Sequence, residues 1–239
     1  MFWAEDRRLL PRDSWTRLVT KRVVVVVEGQ TEEAFVNEVL QPHLGYDAVS
    51  LTPIVVHTSR SADGHAHRGG GSWQHYQNHL RRLLQQPHWD LVTTMIDFYG
   101  YPDDAPWCSC TSLHDQPTCA ESRETGMRDA FAYNPRFLPF ISLHEFETLI
   151  IAAGSQKSSI LGDADAPAKF RHMLNSVEGN AEALNNGPLT APSKRVLAAL
   201  PDYRKVRDGV AVLEGDLGPA LDHAPRFHDW VDLLAGAGA

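Results

Sequence analysis

Arg22-Val23-Val24-Val25-Val26-Val27-Glu28-Gly29-Gln30-Thr31-Glu32 is the stretch on which the reading of the fold turns. Five consecutive valines suit a strand buried on both faces, because β-branched side chains pack well on a pleat and the run leaves no solvated side. The run stops at a carboxylate, a glycine and a helix-start signal. In open α/β sheets, ligands bind beyond the carboxyl ends of the strands. Glu28 is therefore the first residue to which chemistry is assigned.

Working outward, residues 1–20 read as an irregular or partly helical lead-in. After the strand, Thr31 is the expected cap of a helix whose first turn carries Glu32 and Glu33, acids favoured near the positive end of the helix dipole. Ala34, Phe35, Val39 and Leu40 form its apolar stripe, and Pro42 falls near its end. Leu51 to His57 reads as a second strand, and Asp90 to Ile96 as a third that runs straight into Asp97. Ser59 to Ser72 is a polar loop ending in Gly69-Gly70-Gly71. Trp73 to Gln86 has the apolar spacing of a helix, with Trp73, Tyr76, Leu80, Leu83 and Leu84 on one face. Arg136 to Leu143 is a fourth strand, followed at once by His144-Glu145-Phe146-Glu147 opening a helix.

Strands alternating with helices predict an α/β fold, a mostly parallel sheet flanked by helices, over residues 21–152. Residues 100–135, with Pro102, Pro106, Pro117 and all three cysteines, read as an irregular insertion. Residues 153–239 read as a helical part packed on that core, with helices near 166–175, 193–200, 204–213 and 226–234. No apolar run approaches the roughly 20 residues that span a bilayer. Met1-Phe-Trp-Ala-Glu-Asp-Arg-Arg lacks the basic-then-apolar order of a signal peptide, so a cytoplasmic protein is expected.

The formal charge of −8 argues against generic gripping of a phosphate backbone, which basic proteins do. One local patch, Arg7, Arg8, Arg12, Arg17, Lys21 and Arg22, reads either as a contact surface or as a solvated arm. Two parallel neighbouring strands ending at Glu28 and Asp97 would present both carboxylates at one sheet edge. Such a pair suits a hard cation, since Mg²⁺ is typically held by one or two carboxylates and keeps several waters. The competing reading makes Glu28 a helix cap and Asp97 a turn cap.

Val27-Glu28-Gly29-Gln30-Thr31-Glu32, followed by Thr94-Met95-Ile96-Asp97-Phe98-Tyr99-Gly100, resembles a Toprim domain, the metal-dependent catalytic fold of topoisomerases, primases and overcoming-lysogenization-defect nucleases. More narrowly the pattern is similar to a bacterial Toprim-like family of domain-of-unknown-function status. Its further blocks stand here as Phe140-Ile141-Ser142-Leu143-His144-Glu145-Phe146-Glu147 and Ala191-Pro192-Ser193-Lys194-Arg195. The resemblance implies that Glu28 is the Toprim glutamate, a metal-linked general base or acid, and that Asp97 is the first aspartate of an Asp-x-Asp motif. The second aspartate is replaced by Tyr99, with Asp103 or Asp104 as distant substitutes and Glu145 and Glu147 as better ones. Residues two apart on a helix do not face each other, so one of these glutamates is expected in the site and the other in a salt bridge or cap. His144 and Glu147, three apart, would share a face.

Lys194 and Arg195 sit at a helix start, with Ser193 the expected cap, and read either as a phosphate-binding pair or as ordinary surface cations. Lys205 is a weaker companion. Cys108, Cys110, His114 and Cys119 have a Cys-x-Cys spacing that supports zinc poorly, and reduced thiols in a loop are the default. His57, His65, His67 and Arg68 flank the glycine-rich loop and read as loop residues. Neither a P-loop nor a nucleophile elbow is present.

Two functions follow as expectations. The first is a Mg²⁺- or Mn²⁺-dependent phosphoryl-transfer enzyme, a nuclease on DNA or RNA. Glu28, Asp97 and Glu145 or Glu147 would hold the metal, and Lys194, Arg195 and Lys205 would meet phosphate. Because related nucleases are fused to an ABC-type ATPase, the resemblance also implies a separate ATPase partner and a phage-defence setting. The second is a non-catalytic Toprim-like interaction module, suggested by Tyr99 and the acidic charge.

Overall fold

The computed structural model describes residues 20–56, 72–106, 116–143, 145–184 and 190–236. The valine run forms β1 (Lys21–Val27), with Val23 to Val27 fully buried. It pairs in parallel with β2 (Val49–Val55) on one side and β3 (Leu91–Asp97) on the other. β4 (Phe137–Leu138) and β5 (Ile141–Ser142) both pair with β3, giving a parallel sheet in the order β2-β1-β3-β4. β2 is an edge strand, which is where Pro53 costs no ladder bond the sheet needs.

Each valine chooses a face by parity. Val23, Val25 and Val27 join one apolar cluster with Phe35, Phe146, Phe170 and Trp230. Val24 and Val26 join a second with Tyr76, Leu80, Ile96 and Met127. The second cluster lies under α3 (Trp73–Gln85) and α4 (Gln116–Ala130). The first lies under a helix that begins as α1 (Gln30–Phe35), passes through a π-helical stretch Val36–Leu40 and ends as α2 (Gln41–Leu44) at Gly45, whose φ of 76° favours glycine. At the centre of that layer is α5 (Glu147–Gly154), buried along all eight residues. Around it pack α6 (Ala166–Asn175), α7 (Pro192–Ala199), α8 (Lys205–Leu213) and α9 (Gly218–His223), with α10 (Pro225–Gly236) closing the layer.

The α/β class, the parallel sheet and the helical C-terminal part agree with the sequence. Three details differ. The predicted irregular insertion contains α4, fifteen residues long; its Pro117 is the second helical residue, where a missing N–H is harmless. The division at residues 152 and 153 falls inside α5, and one apolar cluster spans both sides of it. The fourth strand is split at Pro139 and Phe140, and the buried Thr94 hydroxyl bridges the gap, accepting from Phe140 N at 2.8 Å and donating to Phe140 O at 2.9 Å. Among the described residues no helix is long and apolar enough to cross a membrane.

Candidate metal and phosphate site

In a sheet ordered β2-β1-β3-β4 the connections leave in opposite directions between β1 and β3, which makes that gap the topological switch point where such sheets bind ligands. β1 and β3 flank it, and Val27 pairs with Met95. Glu28 therefore follows the end of one flanking strand while Asp97 closes the other. Asp97 in turn pairs with Ser142, so the chain that leaves β5 carries Glu145 and Glu147 to the same edge. A cavity of about 590 Å³ opens there, walled by Glu28, Asp97, Glu145 and Glu147 on the sheet side. Tyr99 and Gly100, then Ser193, Lys194 and Leu197 of α7, with Tyr203 and Lys205, complete it.

Glu145 and Glu147 both reach the cavity because α5 begins only at Glu147, so the helical rule that separates residues two apart does not bind Glu145. Their roles differ. Glu145 Oε2 accepts from Ser193 N at 2.8 Å, satisfying an orphan donor at the start of α7. The expected Ser193 side-chain cap is thus replaced by a carboxylate from across the cavity, and the helix N-cap is Ala191. Glu147 is 2 % exposed, and its Oε2 has no hydrogen-bond partner among the described residues. The Lys205 ammonium lies 3.5 Å from that oxygen and 3.6 Å from Glu32 Oε1.

Thr31 does not cap α1, which starts at Gln30 with Gly29 before it and no side-chain cap. Glu32, read from sequence as a dipole acid, is buried and belongs to the site's charge balance. Arg195 is not in the cavity wall; its Nε donates to Thr190 O at 2.7 Å. Asp104 caps α3, accepting from Trp73 N at 2.7 Å, and neither it nor Asp103 lines the cavity in place of a second aspartate. Cys119 is buried on α4. Cys108, Cys110, His114, His144, His57, His65, His67 and Arg68 lie outside the described residues, as do Arg7, Arg8, Arg12 and Arg17.

The electrostatics are those of crowded acids. Burial, and then the charge of Glu32, push Glu28 up from 4.5 to about 7, against hydrogen bonds from the Tyr76 hydroxyl and the Asp97 backbone. Burial and Glu28 hold Asp97 well above the usual carboxylate range. Burial raises Glu147 too, opposed by Lys205. For Lys205 burial acts downward, but Asp97, Glu147 and Glu32 outweigh it and the ammonium is held charged. Tyr76 Oη stands 3.3 Å from Glu28 Oε1. Gly100 closes over the same carboxylate: a Cβ there would overlap both oxygens of Glu28, so any side chain would displace that carboxylate. Sequence gave no signal for Tyr76 or Tyr203 as site residues; their roles come from contacts between segments distant in the chain.

Among the described residues no group of three or more His, Cys, Asp or Glu side chains forms a ready-made metal cage. The donor set nonetheless fits a hard divalent ion held by few protein ligands and several waters. All the candidate donors are carboxylate oxygens, and the cavity has room for a hydrated ion.

Fold and site define an α/β chain with an acidic cavity at its topological switch point. The chain belongs to the family described as Domain of unknown function (DUF4276), which it matches over residues 27–235. No curated protein and no solved structure matches it.

Proposed function

We propose that this chain is a Mg²⁺- or Mn²⁺-dependent phosphoryl-transfer enzyme of Toprim kind that cleaves phosphodiester bonds in nucleic acid. The observation that carries this reading is the convergence of Glu28, Asp97, Glu145 and Glu147 on one cavity beside Lys194. Glu28 and Asp97 would hold the ion, with Glu147, ion-paired to Lys205, lining the same cavity. When bound, the ion supplies Lewis-acid polarisation of a phosphoryl oxygen. Lys194, exposed at the start of α7, would orient the phosphate, and Glu28 would take up a proton at its carboxylate. Lys205 keeps the buried acids Glu32 and Glu147 tolerable side by side. A cytoplasmic location, a separate ATPase that helps an acidic protein hold nucleic acid, and a role in phage defence go with this proposal.

Thermal melting tests it. Saturating Mg²⁺ or Mn²⁺, about a hundredfold over Kd, should raise the melting temperature of wild type by roughly 5–10 °C over EDTA, and Asp97→Asn should abolish the rise. Metal-dependent cleavage should vanish in Glu28→Ala and Asp97→Ala; cleavage retained in both rejects the assignment.

A second reading, a non-catalytic interaction module, is favoured by Lys205, which already supplies counter-charge within the acid cluster, and by Tyr99 in place of a second aspartate. It predicts no metal-dependent shift and no cleavage.

A further inference from the structure

Lys205 stands where local forces disfavour a cation. It is the first residue of α8, at the positive end of the helix dipole, a place that suits acids. It is also half-buried, so part of its hydration is lost. A residue set against both local preferences is held by something else in the fold. Here the acid cluster holds it: Nζ lies 3.5 Å from Glu147 Oε2 and 3.6 Å from Glu32 Oε1, and 5.9 Å from the centroid of the Phe146 ring. The helix that carries it is fastened at the same turn, since the buried carboxylate of Asp208 accepts from Arg204 N at 2.7 Å. The ammonium is built into the cavity wall.

Its position decides how many carboxylates are left for metal. Four acids among the described residues line the cavity. Glu145 is committed to the Ser193 amide, and Glu147 to Lys205, which also takes Glu32. Glu28 and Asp97 are left, one from each strand that flanks the switch point. Glu28 accepts from the Tyr76 hydroxyl, a neutral donor that does not balance its charge. Two carboxylates and several waters are the usual surroundings of one Mg²⁺.

Two-metal centres set their ions roughly 3.5–4 Å apart, so that one serves the attacking oxygen and the other the leaving oxygen. A second ion in this cavity would need Glu147 or Glu32, and both already face an ammonium within 3.6 Å. Like charges at such range repel, most of all where water is scarce, so the ammonium and a second dication exclude each other. Asp97 also lies in the field of Lys205, which brings it part of the charge that a second ion would bring.

We propose that the cavity holds a single divalent ion on Glu28 and Asp97, and that the Lys205 ammonium fills the place a second ion would take beside Glu32 and Glu147. This rests on the metal-dependent phosphoryl-transfer reading and sets its metal count at one.

Counting bound Mn²⁺ tests it. The metal-free chain is titrated with Mn²⁺ at about 0.15 M salt, which screens weak surface sites, and the free ion is read from its electron paramagnetic resonance signal. Wild type should bind one equivalent, lost in Asp97→Asn. Lys205→Met, which keeps the bulk of the side chain and removes its charge, should bind a second. Glu147→Gln should keep the one equivalent, weakened by no more than about tenfold, the small end of what an outer partner of a metal site contributes. Circular dichroism melts establish which variants fold; if Lys205→Met does not, the wild-type count and Glu147→Gln carry the decision. Two equivalents in wild type overturn the proposal, as does a folded Lys205→Met that still binds one, or an ion lost or weakened further in Glu147→Gln. Each of these leaves the phosphoryl-transfer reading standing. No Mn²⁺ bound by wild type rejects both.

Discussion

Glu28 keeps its proton to about pH 7 in the folded chain, whereas an unfolded glutamate releases it near 4.5. Between those values the folded state binds more protons than the unfolded one, so metal-free stability falls as pH rises through this window. Asp97, shifted in the same direction, adds to the slope. For Glu28 alone the loss is on the order of 3 kcal/mol at about 1.4 kcal/mol per unit. Denaturant melts of the EDTA-treated protein from pH 4.5 to pH 7.5 should show the decline, and Glu28→Gln should flatten it. A stability that climbs with pH across the window would contradict the crowded-acid account. Glu28 and Asp97 were legible in the sequence because each interrupts an apolar run at a strand end. The ion pairs of Lys205 were not, since its partners Glu32 and Glu147 lie in other segments and only folding brings them together.

The strands were legible as elements because an apolar, β-branched run is a local signal, and so was α3, whose five apolar positions all prove buried. α4 was hidden by Pro117 and by a weakly amphipathic sequence; its burial is supplied by Cys119, Ala120 and Met127 rather than by a continuous stripe. The fourth strand was read as continuous because nothing in its sequence announces the Thr94 bridge. Thr94 satisfies both backbone groups of Phe140 at the break, so Thr94→Val should leave a buried N–H and C=O short of partners. A cost of about 1–3 kcal/mol is expected, with faster amide exchange at Phe140. An unchanged Phe140 exchange rate would mean that the break is held by other contacts.

For the whole molecule, the apolar cluster shared by β1, α1, α5 and the helices from α6 to α10 predicts one cooperative unfolding transition. A fragment ending at residue 152 would cut α5, expose that cluster and lose Lys194, Tyr203 and Lys205 from the cavity. It should bind a hydrophobic dye and unfold without a sharp transition by calorimetry. A fragment that melts cooperatively would restore the boundary read from the sequence.

The cavity draws its wall from residues as far apart in the chain as Glu28 and Lys205. Synthesis proceeds from the amino end, so the acids of β1 and β3 emerge long before the ammonium that makes them tolerable neighbours. A nascent chain therefore holds the carboxylates of this edge before it holds Lys194, Tyr203 or Lys205, and the wall of the cavity is finished only when α7 and α8 have been made.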